Sequence, residues 1–207
     1  MKKGLLILLL ALAAGTYVAT TPPPGPRTMT DFDPYRLADL ELQMWQAYYA
    51  GENVRLFRLL VVSLREQYKF SWVRATGEAF HLARAASTFA DIEFDYEAVL
   101  PDLEEAYTAI RDWTEAGFDP RAVARAELAW WVARRTPGQN RPEQVGALIA
   151  NEYALLYEVP RAAVLGAGRL RAQAAALRDQ QADAPDWDRI GGVLTESYVE
   201  LHRAVNQ

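Results

Sequence analysis

No cysteine occurs in the 207 residues, which excludes disulfides, thiolate metal sites and thiol nucleophiles. Histidine is scarce as well, with only His81 and His202 present. Lysine is limited to Lys2, Lys3 and Lys69, so the 22 basic residues are almost all arginine. Positive charge is not in excess either: the formal net charge is −5. With Lys2 and Lys3 set aside, 20 Lys and Arg face 27 Asp and Glu, a balance of −7. An acidic domain has no footprint for neutralising phosphates, so nucleic acid is excluded as an expected partner. No segment alternates with a period of two over a useful length, which removes strands from the expectation. Nucleophile elbows, phosphate loops, zinc spacings and dinucleotide fingerprints are absent. Gly166-x-Gly168 lies inside a helical pattern with no strand before it, so it is no phosphate loop. These absences point to a protein without catalysis and assign it no catalytic residue and no cofactor.

A content of 51% hydrophobic and 24% charged residues is that of an ordinary globular chain able to bury a sizeable core. Residues 1–21 open with Lys2 and Lys3 and continue as an apolar run over residues 5–19. From Gly4 to Thr21 the stretch would make about 27 Å of helix, enough to cross a hydrocarbon core. It reads first as an uncleaved signal anchor, a transmembrane helix with Lys2 and Lys3 cytoplasmic and the domain on the extracytoplasmic, periplasmic side. A cleaved signal peptide with secretion, and a buried helix, are the alternatives. Thr-Thr-Pro-Pro-Pro-Gly-Pro then begins a linker over 22–32 that reads as a stiff spacer holding the domain off the membrane.

The domain over 33–207 repeats itself. Asp33-Pro34-x-x-Leu37-Ala38-x-x-Glu41-Leu42-x-Met44-Trp45-x-Ala47 matches Asp119-Pro120-x-x-Val123-Ala124-x-x-Glu127-Leu128-x-Trp130-Trp131-x-Ala133 at a spacing of 86, with seven identities in fifteen positions. The same spacing lays Glu66 on Glu152. With small insertions, Tyr68, Gly77 and Tyr107 then fall on Tyr157, Gly166 and Tyr198. Repetition at such a period signals copies of one supersecondary unit. The expected fold is all-α, with about eight helices as two tandem four-helix repeats over 33–115 and 119–205, following the N-terminal hydrophobic helix. The copies would pack about a pseudo-twofold axis or stack as a short solenoid.

Helix starts are marked by Asp33-Pro34, Asp119-Pro120, Pro101 and Pro142. The spacing predicts helices from Pro34 to Gly51, over 53–68 and 71–90, after Pro101, and over 120–135, 142–156, 160–181 and 187–205. The helix over 53–68 is apolar nearly all round and reads as the central helix of its copy.

Four glutamates stand out. Glu41 shares a helical stripe with Leu37, Met44 and Tyr48; Glu127 lies with Val123 and Trp130; Glu152 lies with Val145, Leu148, Ile149 and Leu156; Glu66 follows from the duplication. A buried carboxylate costs several kcal/mol unless paired, protonated or bound to a cation. Arginine and tyrosine partners are plentiful, so structural pairing is the first reading. The alternative is a carboxylate-rich bundle in which Glu41, Glu66, Glu127 and Glu152 hold a divalent metal.

Glu78-x-x-His81 has the spacing of a di-iron element, yet the second copy has Leu170 at the matching place and His81 reads as a surface residue. His202 suits the end of a helix and no chemistry. Trp45, Trp130 and Trp131 with Tyr48, Tyr49, Tyr107, Tyr153, Tyr157 and Tyr198 are expected mainly in the core, with a ligand groove as the sharper alternative. Arg55, Arg58 and Arg65 line one side of their helix as a solvated face, or one for lipid headgroups or acidic proteins. The functional expectation is a membrane-tethered, extracytoplasmic interaction or ligand-binding module working through the groove between the copies, with a protein partner or a second copy of itself.

Overall fold

The structure, a computed structural model, describes residues 2–207, with side chains described from residue 11 onward. Its elements are α1 (Lys2–Thr20), α2 (Pro34–Tyr49), α3 (Asn53–Tyr68), α4 (Trp72–Asp91), a 3-10 turn (Tyr96–Val99), α5 (Leu100–Thr114), α6 (Pro120–Arg135), α7 (Pro142–Leu156), α8 (Arg161–Gln180) and α9 (Trp187–Val205). No strand occurs among the described residues, so the fold is all-α.

Local chemistry sets the helix starts. The Asp33 carboxylate accepts from the backbone N–H groups of Tyr35 and Arg36, and Pro34 supplies the fixed φ of the first helical position. Asp119 and Pro120 repeat the device, with Arg121 N–H as donor. The two caps have nearly the same backbone angles, φ −81° with ψ 109° and φ −84° with ψ 112°. Ser71 caps α4 and Asp186 caps α9 in the same manner. Tyr68 and Tyr157 are each followed by a residue in the left-handed region, Lys69 at φ 56° and Glu158 at φ 54°, where a non-glycine residue is uncommon. Glu158 offsets its cost in part: its carboxylate accepts from Gly117 N–H at 3.0 Å.

From α2 to α9 each helix packs on the next, and α9 returns to pack on α2. The result is a closed ring of eight helices joined by short loops, which makes neighbours antiparallel. The ring has no central helix, and this corrects the reading of α3. Only Val61, Leu64 and Tyr68 of α3 are buried, and Val54 is 78% exposed. The closest helix pair is α7 with α8. A Cβ on Gly168 would stand 2.4 Å from the Gly146 carbonyl oxygen, and one on Gly146 would stand 2.7 Å from Arg169 Cα, so only glycine lets these backbones touch.

The linker is not a free spacer. Met29 and Phe32 are buried in the core, the Arg27 guanidinium lies 3.9 Å over the Trp113 ring, and Phe32 packs edge-on against His202. Asn206 Nδ2 donates to the Thr30 carbonyl at 3.1 Å. Apolar burial at positions 29 and 32 fixes the end of the linker to the domain. The leader is helical as α1, which packs against α4. Leu5 to Leu10, the apolar heart of the expected anchor, lie outside the residues whose side chains are described. Among the described residues no helix is long and apolar enough to cross a membrane.

Candidate functional site

Six of the ring helices send polar side chains into its interior. Glu41 of α2, only 3% exposed, meets Arg171 of α8: Nε donates to Glu41 Oε1 at 2.9 Å and Nη2 lies 2.8 Å from the same oxygen. Glu41 Oε2 is buried and has no hydrogen-bond partner among the described residues. The Arg171 guanidinium lies 4.9 Å from the Trp130 ring of α6. Trp130 Nε1 in turn donates to Glu152 Oε2 of α7. Tyr107 of α5 donates from its hydroxyl to Glu127 Oε2 of α6 at 2.8 Å, and the same hydroxyl oxygen stands 3.4 Å from Glu152 Oε1. Tyr198 of α9 faces Glu41 and Arg171.

One guanidinium thus confronts three carboxylates. Burial, then the charge of Glu152, pushes the Glu127 carboxyl up to about 8, against the Tyr107 hydrogen bond. Burial also raises Glu152, opposed by Arg171, Trp130 and Tyr107. Arg171, which burial alone would lower, is held well above the usual arginine range, chiefly by Glu41. A phenol has one proton to give. Its two carboxylate contacts can both be hydrogen bonds only if one of the two carboxyls carries a proton of its own. Burial and the nearby Glu152 carboxylate thus both favour a proton on Glu127. The phenols of Tyr68, Tyr107, Tyr153, Tyr157 and Tyr198 are all raised by burial first, so they stay neutral.

Three of the four glutamates singled out in the sequence meet here, and Glu66 does not. Its side chain is exposed on α3. The loop between α6 and α7 is three residues longer than that between α2 and α3, so the spacing changes from 86 to 89 before α3 and α7 begin. At a spacing of 89, Ser63 rather than Glu66 falls on Glu152, and Glu66 falls on the exposed Leu155. Among the described residues no group of three or more His, Asp or Glu stands together as metal ligands would.

Arg171 and Asp102 went unread in the sequence. Arg171 sits in a stripe of Val164, Ala167, Gly168, Ala174 and Ala175, all buried, and an arginine among small buried residues was the available signal. Asp102 is buried at the start of α5 and accepts from Arg84 Nε at 2.7 Å and from His81 Nδ1 at 3.0 Å. His81 is thus a tethered, half-buried residue rather than a free surface one. The Arg84 guanidinium beside Asp102 holds that carboxyl below its ordinary range, with His81 adding to the effect. Glu78 is raised by burial, and its Oε2 has no hydrogen-bond partner among the described residues.

Of the arginine row, Arg55 pairs with Glu52 at 2.9 Å, Arg58 is exposed, and Arg65 donates to the Phe70 carbonyl. The aromatic set divides. Tyr107, Tyr153 and Tyr157 are buried, whereas Tyr48 and Tyr49 are exposed at the end of α2.

Where α2 and α9 close the ring there is an outward cleft of about 270 Å³, whose walls include Tyr35, Asp39, Leu42, Trp187, Asp188 and Thr195. Comparison of the chain with protein-family models, with curated proteins and with solved structures finds no match.

Proposed function

We propose that this chain is a tethered, non-catalytic interaction module built from two copies of a four-helix unit, with its binding groove at the seam where α9 of the second copy meets α2 of the first. The duplication is supported by the matched caps at Asp33 and Asp119, the matched left-handed ends at Lys69 and Glu158, and the matched lengths of α2 with α6 and of α4 with α8. It is supported also by the ring order. Glu127 meets Tyr107 across α5 and α6, and the counterpart pair Glu41 and Tyr198 faces across α2 and α9.

The observation that carries the functional reading is that each interior carboxylate already holds a partner within the protein. Arg171 takes Glu41, Trp130 takes Glu152 and Tyr107 takes Glu127, so the interior specifies the fold. The seam cleft, with two aromatic rings, the carboxylate of Asp188 and that of Asp39, which also pairs with Arg36, suits a cationic segment of a partner. With Glu66 outside and Glu41 tied to Arg171, the four-glutamate metal site has no comparable support. The 19-residue α1, whose described apolar side chains Leu12, Tyr17 and Val18 are exposed, supports the tether, and Lys2 and Lys3 at its start favour an extracytoplasmic domain.

A photocrosslinking side chain at Tyr35 tests the groove in membranes of cells producing the protein. A discrete adduct from position 35, lost in Trp187→Ala and absent from position 54, is the expected result. Adducts of equal yield from both positions would remove the groove from the proposal.

A further inference from the structure

At the end of the ring where α3 stops, α4 starts and α5 stops, four cations gather: Arg27, Arg65, Lys69 and Arg74. None of them forms an ion pair among the described residues, although the chain as a whole is acidic. They rest on aromatic faces and backbone carbonyls instead. Arg27 and Arg74 lie 3.9 and 4.9 Å from the centre of the Trp113 ring, and Arg65 lies 4.4 Å over Trp72. Lys69 Nζ donates to the Glu66 carbonyl at 3.1 Å. Most acids at this end are occupied: Asp112 by Arg111, Glu158 by Gly117 N–H and Asp119 by its helix cap. Glu66 and Glu115 are exposed, and Glu78, which feels the charge of Arg74, is half-buried; none of the three forms an ion pair among the described residues.

Beside the cations the surface is apolar. Trp72 is 39% exposed and Val73 58%, and Phe80, two turns along α4, is 57% exposed. The leader joins the domain here as well: α1 packs on α4, residues 21–23 are half-buried, and Gly25 approaches Lys69. Unpaired guanidinium groups interleaved with exposed indole and aliphatic side chains match the chemistry of a phospholipid headgroup layer, with phosphates for the cations and an interfacial zone for Trp72 and Val73.

We infer that this end of the ring is a foot that rests on an anionic phospholipid surface, with Arg65, Lys69 and Arg74 meeting lipid phosphates and Trp72 and Val73 entering the headgroup layer. The inference rests on the tether proposed above, because α1 then delivers this end of the domain to the bilayer. Each cation contributes on the order of fivefold to the preference for anionic over neutral lipid.

The absence of cysteine permits a direct test with the full chain. Val73→Cys and Val54→Cys, about 20 Å apart along the chain axis, each receive one nitroxide. The protein is reconstituted into phosphatidylcholine vesicles with and without phosphatidylglycerol. Flotation reports the tether, and collision with oxygen against a water-soluble nickel chelate reports the depth of the label. The expected result is flotation in both lipids, with severalfold shielding of position 73 from the chelate only when phosphatidylglycerol is present, and none at position 54. Arg65→Gln/Lys69→Gln/Arg74→Gln, with its circular dichroism unchanged, should float and lose that shielding. A floating protein whose position 73 is as open to the chelate as position 54, or whose shielding survives the triple substitution, overturns the foot and leaves the tether standing. Failure to float overturns the tether, and the foot with it.

Discussion

Arg171 on α8 closes on the Glu41 carboxylate of α2 through both Nε and Nη2, at 2.9 and 2.8 Å, across 130 positions of sequence. The pair ties the second half of the chain to the first inside the ring. Arg171→Leu leaves Glu41 buried without its counter-charge and should cost about 3–5 kcal/mol in unfolding free energy. Adding Glu41→Leu should restore part of that loss by removing the orphaned charge, while Glu152 still lacks the opposing charge of Arg171. Urea unfolding of the two single variants and the double variant measures the coupling. Additive losses would show that the pair does not act as a unit.

The raised Glu127 carboxyl gives stability an inverted dependence on pH. A carboxyl raised from 4.5 to about 8 by folding binds its proton more tightly in the native state than in the unfolded one. Its contribution is therefore complete below pH about 4.5 and lost progressively as pH rises to about 8. Glu127→Gln keeps a neutral group that can accept from Tyr107, and should flatten the decline between pH 5 and pH 8. Chemical unfolding at several values across that window supplies the comparison. A variant with the same slope as the parent would assign the proton elsewhere.

Phe32 distinguishes a spacer from a structural strap. It is 4% exposed and packs against Tyr157 and His202. Phe32→Ala should lower stability by about 3–5 kcal/mol, as for other buried aromatic truncations. A linker that merely spans distance would tolerate the change within about 0.5 kcal/mol. Thermal unfolding of the full chain decides between them.

Two glycines provide a matched pair. Gly168→Ala drives a methyl to within 2.4 Å of the Gly146 carbonyl oxygen, and overpacking of this kind costs about 1–3 kcal/mol or more. Gly192→Ala in α9 meets nothing within 4 Å and should stabilise the protein by about 0.5–1 kcal/mol through helix propensity alone. The opposite signs are readable from midpoint shifts in one denaturant series.

Much of the fold was legible because short-range chemistry carried it. Asp33-Pro34 and Asp119-Pro120 mark α2 and α6 to the residue, since a capping carboxylate and a proline leave little choice of register. Glu41 and Glu152 were legible as buried, and Glu127 as half-buried, from stripes at helical spacing. Glu66 was read as buried only through the spacing of 86, which the longer loop 136–141, against 50–52, does not preserve. The closed ring was invisible for a related reason: the packing of α9 on α2 joins residues far apart in sequence, and no local pattern encodes it. Burial of Met29 and Phe32 was hidden by the neighbouring prolines, whose strong local preference says nothing about what the chain then packs against.

The bond from Asn206 to the Thr30 carbonyl places the entry and exit of the helical ring at one doorway. A short peptide could join residues 30 and 206 without disturbing the helices, and new termini could be opened at the exposed Pro137–Gly138 turn. The order in which the eight helices are threaded is thus separable from the closed shape they make, and a circularly permuted chain should recover the same architecture.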